Sequence, residues 1–98
     1  MALLVKNAKF VNTEVTAPEV YVRLQYTSLA DGKKVSARLL TGLDKEAAMT
    51  FREVPVNFPD TVLVEVAEGA NQDLAAVHAA VKANLEALEL GLEVTVQL

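Results

Sequence analysis

Between Val20 and Ser28 apolar and polar side chains alternate. Val20, Val22, Leu24 and Tyr26 fall on one side of an extended chain, and Tyr21, Arg23, Gln25 and Thr27 fall on the other. A period of two marks a strand with one buried face. The same period returns in Val35, Ala37 and Leu39, opposite Ser36, Arg38 and Leu40. Asp31-Gly32 stands between the two runs, and both residue types tolerate the positive φ of a tight turn. The pattern predicts a hairpin with a loop of about four to six residues.

The last third of the chain changes period twice. Thr61 to Val66 reads as a strand, and Gly69 breaks it. Asn71 to about Leu90 reads as one amphipathic helix, with Leu74, Val77, His78, Val81, Leu85 and Leu88 in a single stripe. Ala75, Ala76, Ala79, Ala80, Ala83 and Ala87 raise helix propensity and allow close approach to a sheet. Asn71 is the expected N-cap, Asp73 complements the positive first turn, and Gly91 suits the left-handed position beyond the last turn. Leu92, Val94, Val96 and Leu98 then alternate as a final strand. In such a strand–helix–strand unit the last strand runs parallel to the one before the helix, through a right-handed crossover, whether or not the two are adjacent.

Elsewhere the pattern is less regular. Residues 2–12 look extended, but Lys6, Asn7 and Lys9 interrupt the alternation. Pro18 lacks a backbone donor and marks a boundary, so residues 1–18 predict an edge strand or an arm. Asp44 can cap a short helical turn over Lys45 to Ala48, with an irregular insertion as the alternative. Thr50 to Val54 predicts a further short strand, and Pro55 and Pro59 demote the stretch they bracket to an edge or loop. The sum is one α+β domain over residues 1–98. It has a mainly antiparallel sheet of four to six strands, one helix from the C-terminal half packed on one face, and a final strand after that helix.

Composition narrows the function classes. Ninety-eight residues fit one domain, and an apolar share of 52% is too high for disorder. The aromatics are Phe10, Tyr21, Tyr26, Phe51 and Phe58, so the core is expected to be mostly Val, Leu and Ala. Net charge is −4, and Lys33-Lys34 is the only adjacent pair of bases. That balance argues against nucleic acid and against an anionic membrane surface, both of which need clustered Lys and Arg. There is no cysteine, which excludes disulfides, thiolate nucleophiles and zinc–cysteine sites. Residues 1–6 lack the pattern of a classical signal peptide, and no run approaches the roughly 18 apolar residues of a membrane span. A cytoplasmic or virion location is the expectation.

Candidate chemistry is sparse. His78 is the only histidine, and it sits on the apolar side of an Ala-rich helix, where a structural role is expected. Ser28 and Ser36 lie in no nucleophile elbow. Glu65 and Glu93 are expected on the outer sheet face with Arg23 and Arg38, where cross-strand ion pairs account for all four. Gly69 precedes a helix, but a single glycine behind Glu65 and Glu68 opposes an anion. Asp44-Lys45-Glu46 matches no calcium loop. Tyr21 and Arg23 share a face without forming a stacking platform for bases.

The sequence thus predicts no catalytic residue, no cofactor and no metal. The expected role is a non-catalytic structural or assembly subunit of a multi-subunit particle, a phage virion being one such particle, that associates through sheet edges. Its partners would be other protein subunits, in a homo-oligomer or a larger assembly. The alternative is a small protein- or ligand-binding regulatory module that presents the polar sheet face. The residues expected to form an interaction surface are Leu3, Val5, Phe10, Tyr21, Arg23 and Arg38.

Overall fold

The computed structural model describes residues 1–29, 32–67, 69–70 and 73–97. Its strands are β1 (Ala2–Lys6), β2 (Val20–Ser28), β3 (Lys34–Gly42), β4 (Thr61–Glu65) and β5 (Glu93–Gln97). Its helices are α1 (Lys45–Met49) and α2 (Leu74–Glu86). The strands form one sheet in the order β4-β3-β2-β1-β5, and every neighbouring pair is antiparallel. Alternating direction across that order makes β4 and β5 run the same way with three strands between them, as the strand–helix–strand pattern predicts. The sheet curls around α2, which packs against both outer strands and β1.

The hairpin forms where alternation places it. Leu29 donates its N–H to Lys34 O at 2.9 Å, and Gly32 takes φ +73°. Asp31, the other expected turn residue, lies outside the described residues, as do Glu68, Asn71 and Leu98. The register Val22↔Thr41, Leu24↔Leu39 and Tyr26↔Ala37 sets one face of the hairpin toward α2. On that face Leu3, Val5, Val20, Val22, Val35, Ala37, Leu39, Val62, Val64 and Val94 meet Val77, Val81 and Leu85 in one core. Val, Leu and Ala dominate it, and Phe58 is its one buried aromatic.

Three expectations need correction. Residues 2–6 are neither an edge strand nor an arm: β1 lies inside the sheet, hydrogen-bonded to β2 on one side and β5 on the other. The interruption at Lys6 and Asn7 marks the strand's end, not its weakness, since Asn7 takes φ 70° and turns the chain. The helix is shorter than Asn71 to Leu90. Asp73 caps it by accepting from Ala76 N–H at 3.0 Å, and Ala87 closes it. Leu88 therefore lies beyond the last turn, and Glu89 at φ 59° redirects the chain before Gly91. Thr50 to Val54 is not a strand. Thr50 ends α1 and Phe51 takes φ 59°, so the chain makes a left-handed turn where the extended run would begin.

Asp44 does cap α1, accepting from Ala47 N–H at 2.8 Å. This helix covers the sheet face opposite α2. Gly42 and Leu40 point to that face, and Leu40 and Ala48 are buried there. The β1–β2 connection folds into a small hairpin of its own, with Ala17 N–H on Ala8 O at 2.7 Å and Phe10 N–H on Val15 O at 3.0 Å. Its outer rim meets the Pro55–Pro59 loop through the Phe10↔Val56 bridge and the Asn57 N–H to Lys9 O bond of 2.9 Å.

Candidate interaction surfaces

The residues expected to form an interaction surface are separated by the fold. Leu3 and Val5 have no exposed surface at all, because they lie on the α2 face of a central strand. They are core residues, and the expectation that they contact a partner is withdrawn. Phe10 is half-buried against the Pro55–Pro59 loop. Tyr21, Arg23 and Arg38 do share one face, the one opposite α2, through the register Tyr21↔Gly42, Arg23↔Leu40 and Gln25↔Arg38.

That face is not a bare polar sheet. The Phe51 ring sits 5.3 Å over the Arg23 guanidinium. Arg23 Nε is buried and has no hydrogen-bond partner among the described residues. Stacking on an aromatic face gives the cation an electrostatic partner in place of a hydrogen bond. Phe51 itself is 58% exposed, and Leu43 before α1 and Met49 at its end are also open to solvent. Arg38 pairs with Glu53 at 3.1 Å, both partly exposed. The expected ion pairing with Glu65 and Glu93 is thus replaced by Glu53 and Phe51. Glu65 and Glu93 stand on opposite outer strands, four strand spacings apart, or about 19 Å at ~4.8 Å each. They cannot act as a paired acid and base.

His78 is 2% exposed within the core. Its Nδ1 lies 2.7 Å from Leu74 O, a group that only accepts, so Nδ1 carries the proton. Nε2 is buried without a partner among the described residues. Burial holds its pKa below the ordinary imidazole value, the Leu74 hydrogen bond opposing and the amino terminus adding slightly to the shift. Its surroundings disfavour the charged ring, and almost none of it reaches solvent. Among the described residues no group of three or more His, Asp or Glu side chains converges to hold a metal. Gly69 offers no phosphate cradle either, because its N–H is spent on Gly32 O at 3.1 Å and the Asp73 carboxylate occupies the start of α2.

One concavity has no counterpart in the sequence pattern. β3 extends past the start of β4, so its last residues lack a full neighbouring strand. Leu39 N–H reaches Asp60 O at 2.7 Å and Val54 N–H reaches Thr41 O at 3.0 Å, and between these contacts the chain bows away. The result is an open cleft of about 570 Å³ over Leu39, Thr41 and Phe58, with Arg38, Glu53 and Asp60 at its margin. Pro55 and Pro59 were the available signal, since neither can donate to a ladder.

The open borders of the sheet are β4 and β5. On β4, Thr61, Leu63 and Glu65 are exposed, and Leu63 is 57% open. No family model, curated protein or solved structure matches the chain. Among the described residues no helix is long and apolar enough to cross a membrane.

Proposed function

We propose that this chain is a non-catalytic assembly subunit of a multi-subunit particle, a virion being one such particle, and that it joins other protein subunits through its sheet edges. The observation that carries the reading is the position of the open edges. β4 and β5 end the sheet on both sides, and no further described strand pairs with either. Unpaired edges are either protected or used for strand addition. Native mass determination at micromolar concentration, alone and with candidate partner subunits, tests the reading. A strict monomer that captures no partner ends it.

A second reading has its own observation. The exposed Phe51 ring over Arg23, with Leu43 and Met49 nearby in sequence, supports a binding module that presents the α1 face to a protein or ligand. Under it, Arg23→Ala with Arg38→Ala abolishes partner capture. Unchanged capture removes that reading and leaves the first intact.

A further inference from the structure

Under the assembly reading above, we propose that β4 is the contact and that its partner is β4 of a second copy of this chain, antiparallel, about a two-fold axis at Leu63. The main-chain geometry identifies which groups are available. Leu39 N–H bonds Asp60 O and Val66 N–H bonds Lys33 O, so the even-numbered residues from 60 to 66 aim their main-chain groups at β3. Because a strand alternates, Thr61, Leu63 and Glu65 aim theirs at the open side. Their side chains are exposed on the face opposite α2. Soluble proteins blunt such borders with charged side chains, lysine above all, with proline or with a bulge. Thr61–Glu65 has no lysine, proline or bulge, carries its one charge on Glu65 at the far end, and places an exposed leucine at its centre.

The opposite border is less suited. Carrying the same alternation through β3, β2 and β1 leaves Val94 and Val96 as the β5 residues that face outward. Their side chains pack inward, and the exposed side chains of β5 are Glu93, Thr95 and Gln97. Among the described residues, strand addition there covers no exposed apolar side chain.

The register on β4 is selected by chemistry. Centring the axis on Leu63 sets Leu63 against Leu63 and Thr61 against Glu65, with up to about six main-chain hydrogen bonds between the copies. Shifting the centre to Glu65 brings two carboxylates face to face. Shifting it to Thr61 opposes Leu63 to Pro59, which has no N–H to give. A Val62-centred pairing sets Glu65 against Pro59 and a Val64-centred one sets Leu63 against the Glu65 carboxylate, so the Leu63-centred pairing alone joins the two exposed leucines without opposing like charges. It keeps α2 of both copies on one side of a continuous sheet.

The test is sedimentation or light scattering over a concentration series, with hydrogen exchange at residues 61–65. The wild type is expected to move with concentration from 10.5 kDa to about twice that mass, with exchange at the Leu63 amide slowing in step. Leu63→Lys should remain at 10.5 kDa throughout with an unchanged circular dichroism spectrum. Leu63→Pro should do the same, since its own sheet does not use the Leu63 N–H. Thr95→Lys should dimerise like the wild type. A dimer that survives both Leu63 variants but is lost in Thr95→Lys overturns the β4 contact and keeps the assembly reading. A wild type that stays monomeric yet is captured by other subunits also overturns the self-pairing alone. A monomer that captures nothing overturns both.

Discussion

Gly42 lies directly beneath Ala48: a Cβ built on Gly42 would fall 2.5 Å from the Ala48 backbone nitrogen and 2.9 Å from the Ala47 carbonyl carbon. The obstacle is backbone, which cannot rotate aside as a side-chain tip would. This contact seats α1 on the sheet. Gly42→Ala is therefore expected to destabilise the protein by about 1–3 kcal/mol, the usual range for overpacking. In a domain of this size each kcal/mol corresponds to a melting-temperature drop of about 4–8 °C. Thermal unfolding checks it, and an unchanged midpoint would mean that α1 does not rest on β3.

The true length of α2 can be read from two leucines. Leu85 is fully buried, whereas Leu88 is exposed beyond the end of the helix. Leu85→Ala should cost about 2–5 kcal/mol through lost burial and the cavity left behind. Leu88→Ala should stay within about 0.5 kcal/mol, as exposed substitutions generally do. Equal losses in denaturant titrations would restore the longer helix that the apolar stripe predicts.

These two cases show what the sequence made legible. Wherever one face of an element meets one core, period alone located it: the β2–β3 hairpin and the buried part of α2, to which the crossover rule added the parallel relation of β4 to β5. Boundaries were less legible, because Leu74 and Leu88 extend the apolar stripe without being buried. Strand order was invisible for a different reason. β1 is short and ends in Lys6-Asn7, so nothing local distinguishes it from an edge, and its central place is decided by β5 at the far end of the sequence. The surface was hardest. Alternation correctly put Tyr21, Arg23 and Arg38 on one face, but it carried no information that Phe51 would fold back over Arg23. Leu3 and Val5 look like available apolar residues until two neighbouring strands enclose them.

The buried imidazole makes stability depend on pH in one direction. The folded pKa of His78 lies below its ordinary value of 6.5, chiefly because burial penalises the charged ring. Between the two values the unfolded chain binds the extra proton, so stability rises with pH. The contribution is complete above about 6.5 and is lost as pH falls below it toward the folded value. Melting temperatures should therefore start to decline as the pH is taken below about 6.5. In His78→Leu the slope in the same window should vanish. If the variant retains the slope, the titrating group is not His78.

Phe51 offers a test in which two substitutions should separate. Its φ of 59° is left-handed, which costs a residue with a Cβ roughly 1–2 kcal/mol. Its ring over Arg23 returns about 0.5–1 kcal/mol at an exposed site. Phe51→Ala keeps the backbone strain and loses the ring, so it should destabilise the protein. Phe51→Gly loses the same ring but accepts the left-handed backbone freely. Part of that relief is offset by the greater freedom of glycine in the unfolded chain. Phe51→Gly is accordingly expected to be more stable than Phe51→Ala by roughly 0.5–1 kcal/mol in urea titrations, the scale set by glycine's advantage at a positive-φ site. The reverse order would mean that the turn after α1 is not left-handed. Neither change should alter self-association through β4, because Phe51 sits over β2, whereas the pairing is centred on Leu63.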